Sequence, residues 1–260
     1  MLSEEKLKEE MNGAIDWIAD YVKKSNANGV IVGLSGGKDS ATVLAMAIKA
    51  LGKDKVVAVS MPCNSIASDF DDAKECAEKF GVKFIRIDLT STYTEFEKNI
   101  NEQIPKVGAS ELTREAKINM KPRMRMITLY SIAQSLGYLV IGTGNLCEGM
   151  VGYTTKWGDS AADFNPIANF TVPEVFKIGE YLGVPDSIIK KAPNDGLGGQ
   201  TDEEKLGVKY VQIADMIEKG DIEDKSAKEI ILKKYETSKH KRNPIPTYNF
   251  DRKNYLLESE

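Results

Sequence analysis

Six consecutive residues carry the densest chemistry in the chain: Ser35-Gly36-Gly37-Lys38-Asp39-Ser40. They follow a short apolar run, Gly29-Val30-Ile31-Val32-Gly33-Leu34, and they open a helical pattern. In that setting the backbone N–H groups and the helix N-terminus face an anion, and the glycines let a phosphate approach closely. Ser35 and Ser40 add hydroxyl donors. Asp39 adds a carboxylate, which beside phosphates is most useful as a Mg²⁺ ligand. The loop is not a Walker A motif, which requires G-x-x-x-x-G-K-[ST]. Val32 stands where the first glycine belongs, and Asp39 follows the lysine. It is not the dinucleotide G-x-G-x-x-G either, because Gly33 and Gly36-Gly37 have the wrong spacing. Glycines also serve plain tight βα turns. The order strand, Ser, Gly-Gly, Asp, Ser favours a phosphate cradle over that reading.

Such a loop has to be held by a sheet edge, and the pattern around it supplies one. Short apolar runs at 29–34, 55–61, 82–89 and 138–142 read as strands of a buried parallel sheet. Helical spacing falls at 3–25, 40–51, 68–80, 112–136 and 171–182, with Pro122 inside the fourth as an interruption or a start. Alternation of this kind implies βαβ units with right-handed crossovers. The predicted fold is an α/β doubly wound parallel sheet with helices on both faces and a helical C-terminal extension, with helices at 203–219 and 223–236. A single domain over 1–260 is the simplest partition, with a core at about 25–185 and a loop-and-helix part at about 186–260. Residues 143–169 are rich in Gly, Thr, Asp and Asn, and a loop of that length is usually functional. Residues 193–199 form a second loop.

Composition narrows the classes. The 260 residues are 42% hydrophobic and 28% charged, with 35 basic against 39 acidic side chains. A net charge of −4 argues against charge-driven nucleic-acid binding. No apolar run approaches the ~18 residues of a membrane span, and residues 1–6 lack a signal peptide's character. Cys63, Cys76 and Cys147 form no CxxC, which fits a reducing cytoplasm. His240 is the single histidine, so a histidine-based metal site is excluded while a Ser-His-Asp triad is not.

The Ser-Gly-Gly-x-Asp-Ser loop resembles that of the adenine nucleotide α-hydrolase-like superfamily of ATP pyrophosphatases. The second half narrows the match. Ile141-Gly142-Thr143-Gly144-Asn145, Glu148, the run Gly152 to Asp159 and Ala162-Asp163 resemble ammonia-dependent NAD⁺ synthetases. Arg123-Met124-Arg125-Met126, Gly199-Gln200-Thr201-Asp202-Glu203, Leu206-Gly207 and His240-Lys241-Arg242 resemble them too. The resemblance covers essentially the whole chain. It implies ATP-dependent amidation of deamido-NAD⁺ by ammonia through an adenylated carboxylate, with Mg²⁺ as cofactor, ATP as co-substrate and a homodimeric assembly. Glutamine-using relatives carry a further glutaminase domain, and no segment here is left over for one. By resemblance, Gly33, Leu34, Ser35, Gly36, Gly37, Lys38, Asp39, Ser40, Thr143 and Asn194 contact ATP. Asp39 and Glu148 hold the metal. Arg123, Lys156, Asp163, His240 and Lys241 contact deamido-NAD⁺. Tyr153 and Trp157 are read either as ring-stacking or as core residues.

Two positions depart from the family pattern. A lysine reaching the ATP phosphates is expected after Asn169-Phe170-Thr171, where this chain has Val172. A serine or threonine is expected after Lys191-Ala192-Pro193, where it has Asn194, which still hydrogen-bonds. Losing the lysine removes a charge-assisted contact of about 2 kcal/mol. Lys38, Lys177 and Lys191 are the candidates to take over that charge.

Overall fold

The computed structural model describes residues 2–65, 67–191 and 201–248. In chain order its elements are α1 (Glu4–Lys24), β1 (Gly29–Gly33), α2 (Lys38–Leu51), β2 (Val56–Ser60), α3 (Ala67–Phe80), β3 (Lys83–Arg86), α4 (Thr90–Gln103) and α5 (Arg114–Leu136). Then come β4 (Tyr138–Val140), α6 (Leu146–Val151), α7 (Val172–Tyr181), α8 (Asp186–Ile189), α9 (Asp202–Leu206), α10 (Tyr210–Lys219), α11 (Lys225–Thr237) and α12 (Lys239–Arg242). All strands are parallel, in the order β3-β2-β1-β4.

Alternation along β1 and β2 explains why both faces of the sheet are covered. Val30, Val32, Val56 and Ala58 point into one apolar cluster with Ile18 of α1, Leu44 and Met46 of α2, Cys76 of α3 and Ile178 of α7. Ile31, Val57 and Val59 point the other way, onto Tyr93 of α4 and Met120 and Ala133 of α5. A strand buried on both faces reads as a continuous apolar run, which is how β1 and β2 look in the sequence. The chain runs outward from β1 to β2 and β3, then crosses back to place β4 on the other side of β1. The carboxyl ends of β1 and β4 therefore flank a topological switch point, where open α/β sheets bind ligands.

The structure corrects several element boundaries. Residues 90–103 form a full helix, α4, that periodicity did not disclose, because Tyr93 is its one buried side chain. Helix α5 runs through Pro122 without a break. The predicted helix at 203–219 is two, because Gly207 adopts φ +74° and ends α9 before α10 begins. The predicted long loop at 143–169 contains α6, capped by Asn145.

A second apolar cluster joins the C-terminal elements to the loop region. It contains Cys147 and Val151 of α6, Val172 of α7, Leu206 of α9, Tyr210 and Ile213 of α10 and Ile231 of α11. The segment after α6 is also tied to α1. Phe164 packs against Tyr21 and Trp17, with ring centroids 4.7 and 5.7 Å apart.

Candidate active site

A cavity of about 540 Å³ opens at the carboxyl ends of β1 and β4. Its walls include the whole of Gly33–Ser40, together with Thr143, Glu148 and Lys241. The structure thus brings these predicted residues into one place. Arg123, Lys156, Asp163 and His240 do not line that cavity, and Asn194 lies outside the described residues.

The glycine loop is shaped by its own sequence. Gly36 has φ +83°, and a Cβ there would stand 2.3 Å from the Asp69 carbonyl oxygen of α3. Only glycine meets both conditions. The Ser35 amide donates to Ser40 Oγ at 3.2 Å, the Gly37 amide donates to Ser35 Oγ at 3.2 Å, and Ser40 Oγ donates to the Gly37 carbonyl at 3.0 Å. The Leu34 amide donates to Val59 O at 2.8 Å, carrying the β1–β2 pairing into the loop. Gly37 caps α2 without a side-chain hydrogen bond, so the first amides of α2 are left to face an anion.

Two carboxylates face each other across the cavity from different elements. Asp39 sits in the first turn of α2, and its Oδ1 is buried with no hydrogen-bond partner. Glu148 is fixed by a reciprocal capping box on α6. Its amide donates to Asn145 Oδ1 at 3.0 Å, and its Oε2 accepts from the Asn145 amide at 3.0 Å. Burial, and then the nearby Asp39 charge, push the Glu148 carboxyl well above its ordinary range. An orphaned carboxylate oxygen beside a second, strained carboxylate is the donor set a divalent cation completes. Mg²⁺ commonly takes one or two protein carboxylates and fills its shell with phosphate oxygens and water, so these residues fit it.

Asp159 and Arg125 complete the cavity wall, and neither belonged to the predicted site. Burial raises the Asp159 carboxyl, while its Oδ1 accepts from the Thr155 amide at 2.8 Å. Arg125 is spent on the Met61 carbonyl at 3.1 Å and on Ser65 Oγ at 3.3 Å. The sequence shows it only within the Arg123–Met126 motif, and a spacing of two residues puts it on a different face of α5 from Arg123.

Lys241, with Arg242, Lys156, His240 and Arg123, forms a clasp at the cavity, while Asp163 lies apart at the sheet edge. Lys241 Nζ donates to the carbonyls of Gly152 at 2.7 Å and Thr154 at 2.6 Å. Arg242 donates to the Gly149 and Met150 carbonyls at 3.2 and 3.1 Å, at the C-terminal end of α6, where cations are favoured. Lys156 Nζ donates to the His240 carbonyl at 2.9 Å, and Arg123 Nε to the Lys156 carbonyl at 3.3 Å. Asp163 extends the sheet edge: its Oδ2 accepts from the Val140 amide at 2.7 Å and its Oδ1 from Tyr130 Oη at 3.3 Å. Of the two aromatics, Tyr153 lines the cavity and donates to Asp202 Oδ1 at 3.1 Å. Trp157 is exposed, with φ +62° and Lys156 Nζ 5.4 Å from its ring centroid.

Comparison with known proteins agrees with this geometry. Residues 10–251 match the NAD synthase family. The chain is 39% identical over 244 residues to an NH₃-dependent NAD⁺ synthetase of Finegoldia magna, covering 92% of this chain and 95% of that protein. A solved NMN synthetase from Francisella tularensis superposes with a TM-score of 0.86 at 36% identity, covering 94% of this chain and 99% of the other. An NH₃-dependent NAD synthetase from Campylobacter jejuni gives 0.75 at 27% identity, with coverages of 94% and 99%. The match over nearly its whole length, on a glycine loop at a switch point and two carboxylates in one cavity, places the chain in the NAD synthase family.

Proposed function

We propose that the chain catalyses ATP + deamido-NAD⁺ + NH₃ → AMP + PPi + NAD⁺, acting over 1–260 as one unit in the cytoplasm. The observation that carries this is the pairing of the glycine loop with Asp39 and Glu148 in one cavity. That arrangement suits attack on a phosphate, and the likeness to the NH₃-dependent NAD⁺ synthetase of Finegoldia magna supplies the acceptor. A nicotinate carboxylate is a poor electrophile. One of its oxygens bonds to the α-phosphorus while the bond to the bridging oxygen breaks and pyrophosphate leaves. Ammonia then attacks the acyl carbon, loses a proton, and AMP departs with the carboxylate oxygen. Neither step requires a protein nucleophile, so the residues act by position and electrostatics. Mg²⁺, held by Asp39 and Glu148, would neutralise charge on the phosphates. Gly33–Ser40 orient the triphosphate, and Thr143 meets it from the end of β4. Asn194 belongs to the same ATP contact set.

The deamido-NAD⁺ contacts assigned to Arg123, Lys156, His240 and Lys241 are supported by the hydrogen bonds that link the first three and by Lys241 lining the cavity; the assignment of Asp163 rests on the resemblance alone. A homodimer is supported by apolar side chains exposed on α4 and α5, Phe96 and Ile127. Light scattering on the purified protein tests it, with a dimer expected and a monomer contradicting it.

The likeness to the Francisella tularensis NMN synthetase favours a second reading, in which the acceptor is the mononucleotide rather than the dinucleotide. Both share the nicotinate carboxylate and the same two steps. One assay separates them. Purified protein receives Mg-ATP, ammonium and either deamido-NAD⁺ or nicotinate mononucleotide, with kcat/KM scored for each. A preference for deamido-NAD⁺ supports the first reading, a preference for the mononucleotide replaces it with the second, and turnover of neither overturns both.

A further inference from the structure

Among the described residues, five carboxylates and four cations line the cavity, so its wall carries no positive surplus for a nucleotide. Asp39 and Glu148 suit a divalent cation, as their geometry shows. Asp159 accepts from the Thr155 amide at 2.8 Å and Asp202 from Tyr153 Oη at 3.1 Å. Asp69 is answered differently. Lys191 Nζ donates to Asp69 Oδ1 at 2.8 Å and to Asp72 Oδ2 at 2.5 Å, across 122 and 119 residues of sequence. The three side chains are between 19% and 30% exposed, so water and salt screen them only in part. Lys191 is therefore not a substitute for the charge missing at position 172. Nor is Lys177, which pairs with Glu180 at 2.8 Å on the exposed face of α7 and does not line the cavity.

The triad is anchored on both sides. Lys191 follows α8, whose Ile188 and Ile189 are buried in the core. Asp69 and Asp72 lie in the first two turns of α3, which Ala73 and Cys76 hold in the same core. The N-terminus of α3 favours an acid at Asp69. Yet the Asp69 carbonyl is the group that meets Gly36 of the glycine loop. A carboxylate that suits its helix thus stands at a loop built to face an anion, and its charge opposes ATP unless it is cancelled. Burial acts against the Lys191 ammonium, but the two carboxylates outweigh it and hold its pKa above the ordinary value. We propose that Lys191 is the internal counter-ion of this cavity, a positioning residue that cancels Asp69 and Asp72 and so lets a nucleotide's phosphates approach, without itself meeting the nucleotide. The inference rests on the ATP-dependent reading above.

Calorimetry with Mg-ATP and with adenosine tests it, because adenosine carries no charge to repel. Wild-type protein that fails to bind ATP would sink the functional reading itself, before any variant is scored. With binding established, Lys191→Met should weaken ATP about 10-fold or more, since it leaves two carboxylates uncompensated. Adenosine affinity should stay within about twofold. Adding Asp69→Asn and Asp72→Asn to that variant should restore ATP to within about threefold of wild type, because the repelling charges are gone. Lys191→Arg should stay within about threefold as well, since the charge is kept. Asp69→Asn/Asp72→Asn with the lysine retained leaves an unpaired ammonium in the wall and should tighten ATP about threefold or more. That pair decides the matter should Lys191→Met fail to fold, and no tightening in it would overturn the proposal. Unchanged ATP affinity in folded Lys191→Met would overturn it too. So would equal losses of ATP and adenosine, or a triple variant that stays weak, because Lys191 would then only clamp α8 to α3.

Discussion

The two walls of the cavity are built by different means. The Gly33–Ser40 wall is mainly local: a strand, glycines and a helix start, with hydrogen bonds inside the loop between residues at most five apart and one tie from the Leu34 amide to the Val59 carbonyl of β2. The opposite wall, between Gly142 and Ala161, is assembled from a distance. Lys241 and Arg242 reach back 87 to 93 residues in sequence to hold its carbonyls. Its start is pinned by Asn165, which donates to the Gly144 carbonyl at 2.8 Å, and by Phe164 against α1. On the proposed reading, the local wall holds the phosphates and the clasped wall meets the acceptor. The nucleotide-activating part would then rest on a contiguous scaffold, and the acceptor-binding part on long-range contacts.

The carboxylates that bridge the two walls give the largest expected effect. Asp39→Asn and Glu148→Gln should each lower kcat/KM for amidation by at least ~10²-fold, measured at saturating Mg²⁺. The stability effect of Glu148→Gln should have a definite sign. Because the folded-state Glu148 carboxyl is raised, its contribution is fully present below its unfolded value and is lost as pH rises through the folded one. In metal-free buffer, Glu148→Gln should therefore raise Tm at pH 8 and leave it nearly unchanged at pH 4. A lower Tm at pH 8 would show that Glu148 is not a strained carboxylate.

Glycine replacements sharpen the contrast between the walls. Gly36→Ala places a Cβ against the Asp69 carbonyl in a left-handed backbone, which should cost about 1–3 kcal/mol and abolish ATP binding. Gly152→Ala drives a Cβ to 2.1 Å from Ser238 Cβ, again at positive φ. It should loosen the clasp at a similar cost in stability while ATP affinity survives. Denaturant melts and ATP calorimetry on both variants check this. Loss of ATP binding in Gly152→Ala would show that the walls are not separable.

The clasp lysine should have a smaller effect. Lys241→Met strips two carbonyls of a partner, at about 1–3 kcal/mol. Its steady-state signature should be a raised KM for deamido-NAD⁺ with the ATP KM unmoved, whereas equal shifts in both would place Lys241 with the ATP wall. The smallest change is expected from Asp163→Asn. The amide oxygen still accepts from the Val140 amide, so stability should fall by only about 0.5–1.5 kcal/mol. A KM effect on the acceptor well beyond that would show that the Asp163 charge meets the substrate as well as the sheet.

The same division governs what could be read from the amino acids. The four strands, α1 to α3 and the glycine loop between β1 and α2 are legible because their determinants are contiguous. Buried parallel strands announce themselves as apolar runs, and Gly52 ends α2 where a terminator is expected. Helix α6 was hidden, since six residues hold too little periodicity, although Asn145 and Glu148 spell a capping box. Helix α4 was missed because Thr90–Gln103 has too few buried positions to show a period. The clasp was illegible for a different reason. Its acceptors are backbone carbonyls, which every residue carries, so Lys241 and Arg242 reveal their partners only once the chain is folded. The position of Lys38 beside Tyr210 was hidden likewise, because the contact joins α2 to α10.

The account's central claim is that the acceptor carboxylate attacks the α-phosphorus before ammonia arrives, and isotope transfer tests it directly. Deamido-NAD⁺ labelled with ¹⁸O in its nicotinate carboxylate is turned over with Mg-ATP and ammonium, and the products are resolved by mass spectrometry. The account predicts one ¹⁸O in AMP for each NAD⁺ formed and none in pyrophosphate. ADP and ¹⁸O-labelled inorganic phosphate, with no AMP formed, would mean attack at the γ-phosphorus, and would contradict the adenylating role assigned to this cavity.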